Sequence, residues 1–103
     1  MPAQLPNVCS PGFVDLDREL AFWREHFRHF PFFQPGLEFS DYVPAFKLGI
    51  NMFLRSRGRG FDEQRDQLAV AYQRTRGDSR LDWQEACAAT AAAWERMGDA
   101  TEA

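Results

Sequence analysis

The 103-residue sequence predicts an all-α fold, a small four-helix bundle with short loops, on three observations. Large residues recur at steps of 4, 3, 4 and 3 in two segments, Leu16, Leu20, Trp23, Phe27, Phe30 and again Trp83, Cys87, Thr90, Trp94, Met97. Such spacing places each set on one stripe of a helix. Start and stop signals frame the periodic segments. Strand signals are missing from the sequence: it shows no sustained two-residue alternation and no Asn-Gly or Asp-Gly hairpin turn.

Taken in order, residues 1–12 hold Pro2, Pro6, Pro11 and Gly12 and read as an extended lead-in. A single helical domain is expected over 13–98, with 99–103 a short tail. In the first helix Asp15, Asp17 and Glu19 suit the positive end of the helix dipole and Arg28 and His29 the negative end, and Pro31 stops it. The segment Phe-Pro-Phe-Phe-Gln-Pro-Gly then forms a loop. Phe39-Ser40-Asp41 reads as the entry of the second helix, an aromatic followed by capping side chains. That helix carries Val43, Phe46, Ile50 and Phe53 inward and runs to about Arg57. Pro44 belongs in a first turn, which allows a start as late as residue 43. Gly49 inside it is unfavourable by about 1 kcal/mol against Ala, a cost that a close helix crossing would offset. Gly58 and Gly60 end it, and Phe61-Asp62 repeats the aromatic-then-cap entry. The third helix, about 63–76 with Phe61, Leu68, Ala69 and Tyr72 inward, stops at Gly77. Ser79 with Asp82 reads as the cap of the fourth helix, which Gly98 closes. The alanines between Ala88 and Ala93 give it a thin face for a close neighbour.

With 45% hydrophobic and 26% charged residues, the chain can bury a core without disulfide or metal staples. A net charge of −3 argues against a dedicated nucleic-acid binder. The two cysteines, Cys9 and Cys87, do not make a disulfide framework, and no other feature points to an oxidising compartment. The first dozen residues lack the basic and apolar regions of a signal peptide, and no run of apolar residues is long enough to span a membrane. The expected location is cytoplasmic. No catalytic site, metal or cofactor is expected. His26 and His29 stand three apart beside Glu25, but no further ligand motif completes a site. Cys87 falls at a core-facing position where a thiol is inert. Arg57-Gly-Arg-Gly60 lacks the strand–loop–helix context of a phosphate loop, and no Gly-x-Ser-x-Gly elbow occurs.

Two compositional anomalies point to binding. Ten of the fifteen aromatics lie between Phe22 and Phe53, more than the helix stripes accommodate. Phe22, Phe32, Phe33 and Tyr42 are therefore the candidate partner-binding residues. The other possibility for the Phe-Pro-Phe-Phe loop is a lid folded over one end of the core. Seven arginines between 55 and 80 face four acids, a local balance of +3. Arg55, Arg57, Arg59, Arg76 and Arg80 are candidate polyanion contacts, although helix C-termini also collect arginine for dipole reasons. If the helices run antiparallel, the cluster splits between the two ends. The expectation is a non-catalytic interaction module that self-associates as a homodimer or binds another protein through the aromatic surface. The alternative is a regulatory accessory that meets nucleic acid or another polyanion through the arginines.

Several features together resemble a family of small, uncharacterised bacterial all-helical proteins with no assigned activity. They are Phe22-Trp23, Pro31-Phe32, Pro35-Gly36, Phe39-Ser40-Asp41-Tyr42, Pro44-Ala45-Phe46 with Gly49, Phe61-Asp62-Glu63, Arg76 through Leu81, and Ala93-Trp94 with Arg96. The resemblance covers about residues 20–97. It implies a recurrent helical unit, here with Phe at 32, 33 and 46 where that family tends to carry Tyr.

Overall fold

In the computed structural model, which describes residues 16–102, the chain folds as an all-α bundle, as its periodicity predicts. The helices are α1 (Leu16–His26), α2 (Phe39–Arg55), α3 (Phe61–Thr75) and α4 (Trp83–Glu102), and a 3₁₀ turn (Phe27–His29) follows α1. No strand occurs among the described residues. The lead-in at 1–12, and Cys9 with any pairing to Cys87, lie outside the described residues.

The helix ends differ from expectation in ways that local chemistry explains. The first helix tightens to 3₁₀ geometry before Phe30 turns extended (φ −99°, ψ 152°) ahead of Pro31. α2 begins at Phe39, so Pro44 lies beyond the first turn, and the entry is held by Asp41 Oδ2 accepting the Glu38 N–H at 3.0 Å. The cap is thus Glu38 rather than Ser40. In α3, Glu63 Oε1 likewise accepts the Gly60 N–H at 2.8 Å, which moves the start to Phe61. The fourth helix is capped by Asp82, not Ser79. Asp82 Oδ1 accepts the Glu85 N–H at 2.8 Å and Glu85 Oε1 accepts the Asp82 N–H at 3.1 Å, a reciprocal capping box. α4 also continues through Gly98 to Glu102, which corrects the tail expected at 99–103. Gly58 and Gly77 take positive φ (90° and 57°) and stop their helices, whereas Gly98 does not and remains helical.

The core is organised around the contact between α2 and α4. Thr90 Oγ1 donates to the Ala45 carbonyl at 3.1 Å, and Gly49 lies against Thr90 and Ala93. Further along, Phe53 meets Trp94 edge-on at 5.6 Å. Partners advance together along both helices, so α2 and α4 run parallel, joined by the antiparallel α3. α4 turns its small residues Ala86, Ala89 and Ala93 into this contact. Cys87, expected inward, is consequently only half-buried.

α1 and α3 dock on different faces of α4. Trp83 and Trp94 receive Tyr72 and Phe61 of α3, at 5.7 and 5.6 Å. On the far side, Arg96 Nε donates to Glu19 Oε1 of α1 at 2.9 Å. α1 packs mainly on α2, where Trp23 stacks on Phe46 at 4.6 Å. The bundle is therefore flattened: the α2–α4 pair forms the middle and the other two helices lie in its outer grooves.

Candidate functional site

The aromatic candidates form one internal cluster rather than a surface patch. Tyr42, expected at a partner interface, is fully buried at 0% exposure. Its hydroxyl accepts the Gln34 N–H at 2.9 Å and donates to the Phe32 carbonyl at 3.3 Å, and burial pushes its pKa up. α2 is packed from three sides, so its buried arc reaches Tyr42 as well as the predicted stripe. Phe32 is half-buried and packs 5.4 Å from Phe30 and 5.8 Å from Phe46, and Phe33 meets Phe27 edge-on at 5.5 Å. The loop is thus a lid tied to the core by Tyr42. Phe22, also half-buried, lies beneath the Arg96 guanidinium, 3.5 Å from its ring centroid. A surplus counted against narrow stripes disappears once loop residues share the interior.

The arginines separate to the two ends of the bundle. Arg55, Arg57 and Arg59 are exposed where α2 passes to α3, with Arg57 in the left-handed region at φ 56°. Arg76 and Arg80 lie at the other end, where each is engaged by groups of this chain. Arg76 lies 5.4 Å over the Tyr72 ring and donates to the Ser79 carbonyl at 3.1 Å. Arg80 grips the buried Asp41 carboxylate in a forked contact, Nη2 to Oδ2 at 2.7 Å and Nε to Oδ1 at 3.2 Å. This contact, with backbone N–H donation from Glu38 and Arg80, outweighs desolvation and lowers the Asp41 pKa to about 2. Ser79, also buried, donates to the Asp41 carbonyl and lies 3.2 Å from the Tyr72 hydroxyl, which donates to the Leu81 carbonyl at 2.7 Å. Asp41 and Ser79, read in the sequence as caps, join α2 to the α3–α4 loop.

The Asp41 carboxylate is saturated with donors. Burial pushes the Cys87 thiol pKa up, away from a reactive thiolate. His26 and His29 rings are 6.5 Å apart, and no cluster of three or more metal-ligating side chains occurs among the described residues. No helix among them is long and apolar enough to cross a membrane.

The surface that stands out is the outer face of α2 and α3. Leu54 (46% exposed) and Val70 (55%) are large hydrophobics left in solvent. Between α2 and α3 runs a groove of about 400 Å³ lined by Pro44, Leu48, Asn51, Met52, Ala71 and Thr75, with the exposed Lys47 and Arg55 beside them. Ala71 and Thr75 also line a shallower depression of about 440 Å³ along α3, with Val70 and Arg74. The grooves share these two residues and form one apolar strip. Lys47, Arg55 and Arg74 against Asp66 give its lining a balance of +2 in a chain whose net charge is −3. The available signal was the apolar side chains off the inward stripes: Leu54 next to Phe53, and Val70 between Leu68 and Tyr72.

No known family model, curated protein or solved structure matches this chain.

Proposed function

We propose that this chain is a non-catalytic helical interaction module that docks an acidic amphipathic helix of another protein on its α2–α3 face. The observation that carries the reading is an apolar groove between α2 and α3 with a cationic rim, continued along α3 past the exposed Val70. From Pro44 to Arg55 the groove follows about 16 Å of helix, room for about three turns of a partner. Charge favours an acidic partner over a second copy, because a twofold contact would set the groove's cations against themselves. The same proposal places the protein in the bacterial cytoplasm, within the small helical family its sequence resembles.

The test is a pair of synthetic helical peptides with the same leucine stripe, one flanked by glutamates and one by lysines. Fluorescence anisotropy should show the glutamate peptide binding about tenfold tighter or more, with affinity falling as salt rises. Lys47→Glu with Val70→Asp should abolish binding and leave the circular dichroism unchanged. Equal binding of the lysine peptide refutes the reading. A dimeric mass lost in the same double variant would instead assign the face to a second copy. A second reading, polyanion binding at one end of the bundle, draws support from Arg55, Arg57 and Arg59, exposed together in one loop region. Salt-sensitive DNA binding lost on changing these three to Gln selects it.

A further inference from the structure

The residues lining the α2–α3 groove recur every fourth position and so fall into ridges along each helix. Pro44, Leu48 and Met52 form the inner ridge of α2 and are buried or half-buried. Ala71 and Thr75 face them from α3. Lys47, Asn51 and Arg55 form the outer ridge of α2, and all three are exposed. A helix docked between α2 and α3 therefore covers Asn51 midway along the groove, one turn from each cation.

The polar groups of this strip are not equivalent. Lys47 and Arg55 carry their charge at the end of long stems and can meet acidic side chains at the edge of a docked helix. The Thr75 hydroxyl already donates to the Ala71 carbonyl at 2.9 Å. Gln67, the other carboxamide, lines only the depression along α3. Asn51 differs from all of these. Its amide is short, uncharged and central, and its side chain has no hydrogen-bond partner among the described residues. In the free protein water serves both ends of that amide. An apolar side chain laid over it would remove the water from two N–H donors and a carbonyl and return nothing. A carboxylate could accept an N–H but would leave the carbonyl bare. A carboxamide can accept from Asn51 and donate to it, as a buried asparagine does when it sets the register of a coiled coil.

We propose that Asn51 selects the partner and fixes its register by requiring one carboxamide, asparagine or glutamine, in the middle of an otherwise apolar stripe. The role of Asn51 rests on the docking of an acidic helix proposed above and adds to it the identity of one partner residue. The docked helix is then amphipathic, acidic along its flanks, and interrupted once at its centre.

The experiment uses the whole chain and the glutamate-flanked leucine peptide. Three derivatives change one leucine of the stripe to asparagine, in the first, middle or last turn. Affinities are measured by fluorescence anisotropy on the wild type, Asn51→Leu and Asn51→Ala. Every derivative loses apolar burial. The middle one should nonetheless bind about tenfold tighter than the other two. On Asn51→Leu the all-leucine peptide should gain and the middle derivative lose, a coupling of about tenfold in the double-mutant cycle. Asn51→Ala removes the amide without adding a large apolar group, and should cost the middle derivative its advantage even if Asn51→Leu aggregates. The Asn51 side-chain amide resonances should move most with the middle derivative. Both substitutions fall at an exposed helix position and should keep the wild-type dichroism spectrum. Peptides that bind with the three derivatives equal within about twofold, or with a coupling below about twofold, overturn the role of Asn51 and leave the docking reading intact. Failure of every peptide to bind at about 1 mM overturns the docking reading and the role of Asn51 with it.

Discussion

Gly49→Ala tests the packing on which the whole bundle rests. An alanine Cβ at this position would lie 2.5 Å from the Thr90 carbonyl oxygen and 3.0 Å from Ala93 Cβ. The oxygen belongs to the α4 backbone and cannot rotate away. The helices would have to part by about 1 Å, against an interior packed at crystal-like density. Alanine gains about 1 kcal/mol in helix propensity. Overpacking costs about 1–3 kcal/mol, and parting the helices also stretches the 3.1 Å bond from Thr90 to Ala45, a buried bond with a net value of about 1 kcal/mol. The balance is a loss of about 1–3 kcal/mol, which for a domain of this size lowers Tm by about 5–15 °C. Gly98→Ala is the control. A Cβ there meets Phe53 Cε2 at 3.7 Å, an ordinary contact, and Gly98 is already helical. That variant should hold or raise Tm. Thermal and urea unfolding followed by circular dichroism measure both. If Gly49→Ala is as stable as the wild type, or Gly98→Ala loses as much, the close parallel crossing of α2 and α4 is not what holds the fold together.

The Asp41 carboxyl has its folded-state pKa lowered from 3.8 to about 2. Its contribution to stability is present above pH 3.8 and is lost as pH falls towards 2, a loss of about 2 kcal/mol. Urea midpoints measured across that window should show this loss in the wild type and a smaller one in Asp41→Asn, and identical pH profiles would refute it. Phe32→Ser with Phe33→Ser should destabilise the domain by about 2–4 kcal/mol, since both rings are half-buried against the core. A double variant of wild-type stability would return these rings to the surface.

Helix existence was legible because it follows from local rules. Each stripe, cap and glycine stop involves residues within a few positions of one another, and four helices appear where those signals stand. The capping partners were less legible because a short polar side chain has several uses. Asp41 looked like a cap and does hold the Glu38 N–H at 3.0 Å, but its second oxygen binds the N–H and the side chain of Arg80, 39 residues away. Ser79 looked like another cap, and the true capping box formed three residues later at Asp82 and Glu85. Nothing at short range distinguishes the two roles. Gly98 was read as a stop by residue type alone, although a glycine ends a helix only where it takes positive φ.

The aromatic candidates pack inward for a reason that also explains where the grooves lie. A count of aromatics against narrow stripes assumes that every helix buries one face. Here α2 is buried on three sides, because α4 approaches it closely at Gly49 and leaves α1 and α3 to pack around the pair. That central helix absorbs Tyr42, and the lid absorbs Phe32 and Phe33. The outer helices are correspondingly under-covered. α3 retains Val70 in solvent, and α1 meets α4 through the Arg96–Glu19 pair and the ring of Phe22. Flattening the bundle thus opens one groove between α2 and α3 and another between α1 and α4. Their opposite charge follows from which helix supplies the rim: Lys47, Arg55 and Arg74 on the first, Glu95 and Asp99 on the second. The close approach at Gly49 on the α2–α4 crossing therefore underlies both the packing of the domain and the two grooves on its flanks.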